Sequence, residues 1–496
     1  MKSIILAGYL LLVSNIMAQV VKDYDPSIQR TTRLQYFKPA EAHLFSGDCM
    51  PYYDKGTFYL YWLLDEGHHS GLGGLGGHQW ALSTSRDLIH WQHYPVAVGI
   101  DEEWEKSICT GSVIADRDKF YAFYATRVKE HDKVHEQLSY AVSTDGGISY
   151  KKQQPNPFYF PPEVCQTWDF RDPKVFKDAD GVFHLFISGY LKEPQLSGFG
   201  GYLVHLVSAN LKDWKEIESP LTGQSGTPEC TDYFRWGDWY YLVYSTGSNT
   251  HYVKSKAPYG PWEYPESQTL IESWGNVFKT AEFTGGRRIA VAFIPGKRNN
   301  KDADGEVFGG NILFRELTQQ KDGTLESRFL PEVLPAMKSI PTPPVQIASS
   351  ETASAGNGEI RMTASGSVGV ASISGLPENY RITMDIIPEG NYDELGLFLR
   401  AEDKDRKGYK LELNPNRESV LLQSTSIQSV KDLRSPLRLD IIVKDEFFDV
   451  CVNNKRCIIN RLPEQKGRSL FFYVKNGSAV IRDIRMYELT ATDEAQ

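Results

Sequence analysis

The sequence predicts an all-β protein, a five-bladed β-propeller followed by a C-terminal β-sandwich. Two patterns carry this prediction. The first part of the 496-residue chain repeats a turn and an aromatic or aliphatic run five times, and the last part alternates with period two without a helical stretch. Aromatic residues make up 12% of the chain and are concentrated in short runs, which favours strands. A chain of this length is expected to hold more than one core.

The five repeats are predicted hairpins. The first strands of the hairpins are residues 49–53, 111–115, 173–176, 230–234 and 277–283. The second strands are residues 57–62, 120–124, 182–187, 239–244 and 288–293. The spacing of about 50 to 60 residues suits a four-stranded sheet with loops, and a radial array of such sheets is a β-propeller. We assign this domain to residues 33–336; a long β-sandwich with coincidental turns is the alternative.

A proline-rich stretch marks the end of the repeats. Residues 337–358 are rich in proline and small polar residues and are predicted to form a linker. A second domain follows over residues 359–490, and its alternating strands predict a β-sandwich. The predicted strands are residues 380–386, 395–399, 409–413, 437–443, 447–452, 470–474 and 479–486. This sandwich is either a structural brace or a glycan-binding module.

The N-terminal residues and the charge limit the cellular setting. Lys2, an apolar run over residues 4–13 and Ala18 predict a signal peptide over residues 1–18, so we expect a periplasmic or secreted protein. The net charge of -9 without a basic patch argues against nucleic acid or an anionic membrane as a partner. No later apolar run is long enough for a membrane helix. We expect a monomer.

The six cysteines are too few for a disulfide scaffold in a chain of this length. Cys451 and Cys457 flank a predicted hairpin tip, where they either form a disulfide or remain free thiols. Cys49 and Cys230 each follow an acidic residue and are expected to be small buried thiols rather than metal ligands.

Three carboxylates carry the functional prediction. Alignment of the hairpins by their turns places Asp48, Asp172 and Glu229 at equivalent positions, just before the first strands of units one, three and four. The first strand of each propeller blade lines the axis, so the three side chains are expected to meet at one funnel mouth. Two opposed carboxyl groups are the apparatus of glycoside hydrolysis. We assign Asp48 as the nucleophile, Glu229 as the acid/base and Asp172, with Arg171 beside it, as the group that binds sugar hydroxyls.

Several segments then resemble one family, glycoside hydrolase family 32, which includes β-fructofuranosidases, invertases, inulinases and levanases. The segments that carry the resemblance are Arg-Asp-Pro at 171–173, Glu-Cys at 229–230, residues 78–91, Cys-Thr-Gly-Ser at 109–112 and residues 448–453. The resemblance implies a retaining mechanism through a covalent aspartyl intermediate, an oligo- or polysaccharide substrate, and neither a metal nor an organic cofactor. Within these segments and near them, the predicted substrate-binding residues are Arg171, Asp65, His78, Trp80, Thr110 and Gly111.

The chain departs from the family around the nucleophile. Leu63 stands where the family usually has glutamine, and Gly76 stands where it has tryptophan. Loss of an amide and an indole removes hydrogen bonds to the sugar, each contributing about 0.5 to 1.5 kcal/mol. A β-fructofuranoside is the predicted substrate, and another furanoside, such as an arabinofuranoside, is the alternative. A sugar-binding propeller without catalysis is the alternative of a different class, but all three carboxylates are present, which favours the enzyme.

Other residues have two interpretations. The glycine-rich segment over residues 67–78 lacks the Gly-Lys-Ser/Thr ending of a phosphate loop, so a nucleotide site is not predicted. Its three histidines (His68, His69 and His78) either ligate zinc or belong to a flexible loop at the cleft rim. Asp65 either touches substrate or caps a turn, and Asp232 either supports Glu229 or begins a turn. Four tryptophans are either stacking platforms for sugar or core residues: Trp80, Trp104, Trp168 and Trp236.

Overall fold

The computed structural model describes residues 24–27, 35–247, 249–267, 269–271, 276–334, 337–349, 351–402 and 407–489. The predicted signal peptide over residues 1–18 lies outside the described residues. Strands dominate the described chain, as predicted. Its helical elements are a four-residue helix, α1 (Gly71–Gly74), and short 3-10 turns at Thr284–Gly286, Arg298–Asn300 and Pro331–Val333. Among the described residues, no helix has the length and apolar character needed to cross a membrane.

The first part of the described chain holds five consecutive groups of four strands. The first group is β1 (Leu44–Asp54), β2 (Thr57–Glu66), β3 (Gln79–Ser85) and β4 (Trp91–Val98). The second is β5 (Ser107–Asp116), β6 (Lys119–Glu130), β7 (Lys133–Ser143) and β8 (Lys151–Lys152). The third is β9 (Arg171–Lys177), β10 (Phe183–Tyr190), β11 (Gly201–Ser208) and β12 (Lys215–Ile217). The fourth is β13 (Glu229–Trp236), β14 (Trp239–Thr246), β15 (Asn249–Ser255) and β16 (Thr269–Ile271). The fifth is β17 (Asn276–Phe283), β18 (Arg287–Lys297), β19 (Glu306–Gln319) and β20 (Leu325–Arg328).

The five predicted hairpins are confirmed as the antiparallel pairs β1–β2, β5–β6, β9–β10, β13–β14 and β17–β18. Each group continues as an antiparallel meander. The first strands of the groups contact one another in chain order, and β17 contacts β1. In addition, β19 pairs with β1 at Ser46 and Gly310, which joins the last group to the first in one eight-stranded sheet. The groups therefore form a closed ring around the first strands.

The second strands are buried on both faces, which explains their continuous apolar runs. In β2, Phe58, Leu60, Trp62 and Leu64 belong to one core cluster, whereas Tyr61 and Leu63 belong to another. Alternate side chains of one strand thus pack against the two neighbouring sheets. A sheet with one wet face would instead show polar residues at every second position.

Each first strand carries the same irregularity at its beginning. In β1 the register shifts between Ser46 and Cys49, so two residues of β1 oppose one residue of β2. Equivalent two-for-one bulges lie in the other four first strands, at residues 109–110, 172–173, 230–231 and 277–278. Bulges re-aim side chains and are frequent beside active sites. The mouth of the ring is therefore built from five bulges.

The bulges correct the predicted alignment of the carboxylates. Glu229 immediately precedes its bulge, Asp172 is the first bulge residue of β9, and Asp48 is the second bulge residue of β1. The three residues lie within their strands at successive positions, not at one equivalent position before them. Alignment by turns was wrong here because it ignores the extra residue that a bulge adds to a strand.

The second domain forms one extensive antiparallel sheet that folds over its own core. Its first strands are β21 (Lys338–Ile340), β22 (Val345–Ile347), β23 (Ala353–Gly356), β24 (Glu359–Ser374), β25 (Tyr380–Pro388), β26 (Glu394–Ala401) and β27 (Tyr409–Asn414). The remaining strands are β28 (Ser419–Leu422), β29 (Thr425–Ile427), β30 (Leu437–Lys444), β31 (Phe447–Val452), β32 (Arg456–Arg461) and β33 (Ser469–Glu488). The predicted strands 470–474 and 479–486 are halves of β33.

The predicted linker over residues 337–358 is wrong as a free connector. Its strands β21, β22 and β23 pair with β33 and β24 of the second domain. The prolines that suggested a linker, Pro341, Pro343 and Pro344, fall between these strands, where a missing N–H group costs no ladder hydrogen bond. The second domain therefore begins at Lys338.

A buried ion pair ties the second domain to the ring. Arg315 of β19 and Asp449 of β31 form a bidentate pair with distances of 2.6 and 2.9 Å, and both side chains are at most 1% exposed. The Tyr36 hydroxyl donates to Asp449 Oδ2 at 2.7 Å, and its ring stacks on Phe447. One core cluster contains residues of both domains, Leu313 and Ile459 among them. These contacts favour the structural brace over the independent glycan-binding module.

We expect Arg315→Met to lower the free energy of unfolding by about 3 to 5 kcal/mol, because the change leaves the Asp449 carboxylate buried without its cation. Chemical denaturation followed by tryptophan fluorescence measures the effect. Arg361→Met, which removes an exposed pair with Glu389, is the control and is expected to change little. Equal effects of the two substitutions would contradict the brace.

Candidate active site

The bulges bring the three predicted carboxylates together around Cys230. The backbone N–H of Cys230 donates to Asp172 Oδ2 at 2.8 Å. Its thiol Sγ lies 3.5 Å from Asp48 Oδ2, and Glu229 precedes it in the chain. The hairpins of units one, three and four therefore converge on one site, as the sequence predicts.

Asp48 is half-buried and hydrogen-bonded. The Thr110 hydroxyl donates to Asp48 Oδ2, so the predicted residue Thr110 reaches the predicted nucleophile from the bulge of β5. Burial, followed by the negative charge of Asp172, raises the pKa of Asp48 above its ordinary value. The hydrogen bond from Thr110 acts in the opposite direction and favours the ionised carboxylate.

Asp172 is buried and held by the backbone. Its φ of +56° is in the left-handed region, which costs free energy for a non-glycine residue. Cys230 has a φ of +51°. Both residues occupy the first position of their bulges, so the same local distortion in two strands aims Asp172 at the N–H of Cys230.

Glu229 is much more accessible than Asp172. Its side chain is 37% exposed, against 4% for Asp172. Arg171 Nη2 donates to Glu229 Oε1 at 2.6 Å. Burial raises the pKa of Glu229, and Arg171 opposes that rise. A carboxyl group with a raised pKa at the open side of a site suits a proton donor.

Arg171 is the centre of a row of alternating charges. Besides Glu229 it contacts Asp169, and its Nη1 lies 3.8 Å from Glu136 Oε2. Glu136 in turn accepts two hydrogen bonds from Arg127, at 2.9 and 3.2 Å. The row compensates the cost of placing several ionised groups in a half-buried wall.

The predicted residues Asp65 and His78 lie together in a buried cluster. His78 Nε2 lies 3.0 Å from Asp65 Oδ1, which also accepts the backbone N–H of His69 at 2.8 Å. Asp65 is completely buried and His78 is 2% exposed, so neither presents an open surface to a sugar. Of the two interpretations of Asp65, the turn cap is the one that the structure favours.

The same cluster bears on the zinc interpretation. One ligand atom from each of Asp65, His69 and His78 lies within 4.8 Å of the others, the spacing of a possible metal site. However, Arg127 Nη1 lies 2.7 Å from His69 Nε2, so a guanidinium already occupies one ligand position with a positive charge. His68 is turned away, stacked on Phe45. This geometry favours a hydrogen-bonded support over a cation site.

Trp80 does not form a stacking platform. Its side chain is completely buried, and its Nε1 donates to Cys109 O at 2.9 Å. The position follows from β3, which is buried along its whole length. Trp236 lies at the turn end of β13, remote from Glu229 at the other end of that strand. Trp168, next to Asp169, is 60% exposed and is the one of the four tryptophans with a large open surface near the charged row.

The cysteines are buried free thiols, as expected for Cys49 and Cys230. Burial raises the pKa of both thiols, which keeps them protonated and unreactive. Cys451 and Cys457 lie directly opposite each other on β31 and β32 and are likewise free, so the disulfide is not formed in this structure.

The sequence interpretation missed two residues at the site. Lys279 of β17 donates from Nζ to Gly111 O at 2.7 Å. Phe308 of β19 stacks on His78, with ring centroids 5.0 Å apart, and borders Gly47 beside the nucleophile. The repeat itself could have indicated Lys279, because it follows the fifth bulge as Gly111 follows the second. No local motif marks Phe308, which reaches the first unit through the pairing of β19 with β1.

Comparison with known proteins identifies the family of this chain. The sequence profile of the glycosyl hydrolases family 32 N-terminal domain matches residues 41–322, more than half of the chain. The chain belongs to glycosyl hydrolase family 32. It is 30% identical over 241 residues to a levanbiose-producing levanase of Geobacillus stearothermophilus. The aligned residues cover 47% of this chain and 54% of that protein. It is 23% identical over 457 residues to a raffinose invertase of Escherichia coli, covering 85% of this chain and 89% of that protein.

The chain spans about half the length of the first curated relatives it matches. Among solved structures, fructan 1-exohydrolase IIa from Cichorium intybus superposes with a TM-score of 0.68 at 16% identity, over 91% of this chain and 98% of that one. A β-fructofuranosidase from Bombyx mori superposes with a TM-score of 0.63 at 16% identity, over 97% of this chain and 98% of that one. The shared fold of this family member is a β-propeller followed by a β-sandwich.

We expect Gly111→Ala to destabilise the fold by about 1 to 3 kcal/mol or more, because a Cβ at this position would lie 1.9 Å from Phe123 O. Thermal denaturation of the purified protein measures the loss. Gly305→Ala is the matched control, since a Cβ there meets nothing within 4 Å. A Gly111→Ala protein as stable as the control would show that the bulge of β5 can move away from β6.

Proposed function

We propose that this protein is a retaining glycosidase that hydrolyses β-fructofuranosides through a covalent aspartyl intermediate. The observation that carries the proposal is the convergence of Asp48, Asp172 and Glu229 on Cys230, with Arg171 on Glu229. A retaining glycosidase needs one carboxylate to attack and a second carboxyl group to donate a proton. The convergence supplies both, together with a third group for the sugar hydroxyls.

The environment of each group suits one step. Asp48 attacks the anomeric carbon as Glu229 protonates the leaving oxygen, which gives the aspartyl ester and a free alcohol. Glu229, now ionised, then removes a proton from water, which attacks the anomeric carbon and breaks its bond to Asp48; this releases the sugar and the Asp48 carboxylate and leaves Glu229 protonated again. The Thr110 hydroxyl helps to keep Asp48 ionised, and burial helps to keep Glu229 protonated. Asp172, fixed by the Cys230 N–H, is placed to accept hydrogen bonds from sugar hydroxyls.

The relatives support an oligo- or polysaccharide of fructose as the substrate. Their names include levanase and raffinose invertase, and a fructan 1-exohydrolase of the same fold binds 1-kestose. Leu63 is the reason to test a second class of furanoside. Its buried side chain packs against Gly47, next to the nucleophile, and cannot form a hydrogen bond with a sugar there. An arabinofuranoside is that second candidate.

The architecture proposed with this function is a propeller of five blades, one for each group of four strands. The ring of contacts from β1 to β17 and back to β1 supports this count. We also propose that residues 1–18 direct export to the periplasm or the medium, where the protein would encounter a polymeric fructan, and that it acts as a monomer.

We expect Asp48→Asn to lower kcat by about 10³-fold or more on sucrose, inulin and levan, because an amide cannot form the ester. Glu229→Gln is expected to lose about 100- to 10,000-fold on these substrates. Its loss on an aryl β-fructofuranoside should be smaller, since a good leaving group needs less protonation. Released fructose and aryl alcohol are the measurements. An arabinofuranoside panel runs in parallel; a parent that cleaves neither class, or full activity of both variants, contradicts the glycosidase.

We expect a bell-shaped pH profile of kcat/KM whose acidic limb follows ionisation of Asp48 and whose basic limb follows loss of the Glu229 proton. Both pKa values are raised by burial, so both limbs should lie at higher pH than those of free carboxyl groups. Thr110→Val removes a donor to Asp48 and should move the acidic limb to still higher pH. Thr126→Val, a buried threonine that donates to Ser139, is the control, and a limb that does not move with Thr110→Val would contradict the assignment.

A further inference from the structure

A buried lysine lies at the fifth position of the ring of bulges. Lys279 is the first residue after the bulge of β17 and is 3% exposed. Its ammonium group donates to Gly111 O at 2.7 Å, which is a contact between the fifth and the second units of the ring. Gly111 is likewise the first residue after its bulge. One side chain therefore joins two bulges across the ring.

Lys279 differs from the lysine at the matching position of the third unit. Lys174 follows the bulge of β9 and forms an ion pair of 2.6 Å with Asp232. In the described part of the chain, no carboxylate forms an ion pair with Lys279. An ammonium group removed from water is costly unless negative charge lies nearby. The charges of Asp48, Asp172 and Glu229 act together with that of Lys279 on the Cys230 thiol, and the positive charges of Lys279 and Lys174 act on each other.

The contact with Gly111 leads directly to the nucleophile. Gly111 follows Thr110, whose hydroxyl donates to Asp48 Oδ2. The N–H of Gly111 faces Met50 Sδ at 3.3 Å, a weak acceptor, so the carbonyl contact with Lys279 is the stronger polar restraint on this residue. Movement of the Gly111 carbonyl would move the Thr110 hydroxyl away from Asp48.

We propose that Lys279 is a positioning residue for the nucleophile: it holds the bulge of β5 so that Thr110 stays on Asp48, and it adds a positive charge to the surroundings of the carboxylates. The inference rests on the proposed function, in which Asp48 is the nucleophile. The two contributions are separable, because glutamine keeps a hydrogen-bond donor without the charge and arginine keeps both.

Three variants at Lys279 test the proposal on the full-length protein, with hydrolysis of a β-fructofuranoside as the assay. Lys279→Met should lower kcat by about 10- to 100-fold with little change in KM, since a small displacement of the reacting group is enough for such a loss. Its acidic limb of kcat/KM should move to higher pH, because loss of a positive charge disfavours the ionised Asp48. Lys279→Gln should recover part of kcat but keep the shifted limb. Lys279→Arg should restore the limb to its position in the parent.

Lys174→Met is the matched control, because it removes a lysine, 17% exposed, from the same position of another bulge. It should lower the Tm at least as much as Lys279→Met, since it leaves Asp232 without its partner, and should leave the acidic limb in place. If Lys279→Met does not fold, the position of the acidic limb in Lys279→Gln tests the proposal. An unshifted limb in Lys279→Gln, or the same shift in Lys174→Met, overturns the positioning role. A parent that cleaves no furanoside overturns the proposed function, and this inference with it.

Discussion

Five β-bulges at the beginnings of the innermost strands are the constraint on which the site depends. Successive side chains of a regular strand point to opposite faces of the sheet. In a strand that lines the axis of the ring, regular geometry therefore directs the side chains towards the neighbouring sheets and not along the axis. The extra residue of a bulge breaks this alternation and turns the local backbone. Because Glu229 precedes its bulge, Asp172 is the first residue of its bulge and Asp48 is the second residue of its bulge, the same device places three carboxyl groups at staggered positions around one point.

The staggered carboxylates create an electrostatic problem that the surrounding residues solve. Three acidic groups in a half-buried space repel one another, and burial penalises each charge. Hydrogen-bond donors from different units stabilise the three groups. Arg171 donates to Glu229, the Cys230 N–H donates to Asp172 and the Thr110 hydroxyl donates to Asp48. Each carboxylate thus has a different partner. Difference in partners is what allows chemically similar groups to perform different steps at one pH.

Much of this organisation could be predicted from the sequence. Turns followed by aromatic runs predicted all five hairpins, because strands buried on both faces leave a strong apolar signal. Alignment of the hairpins grouped Asp48, Asp172 and Glu229, and the Arg-Asp-Pro and Glu-Cys motifs added support for Asp172 and Glu229. The stagger could not be predicted, since a bulge adds a residue without a marker in the sequence. Lys279 and Phe308 were missed because a lysine is usually solvated and because Phe308 reaches the site through long-range pairing. The strand β24 was missed because Gly, Ala and Ser dominate its middle.

The pairing of Ser46 with Gly310 has a consequence for the biosynthesis of the protein. During translation β1 emerges long before its partner β19, so one edge of β1 stays unpaired while the second, third and fourth strand groups are made. Contacts between residues so distant in the chain form slowly, because a large loop must be closed first. An exposed edge in that interval is a template for pairing with another chain. The closed ring is therefore reached through a nascent state in which one strand edge is exposed, and protection of β1 during synthesis becomes part of producing the protein.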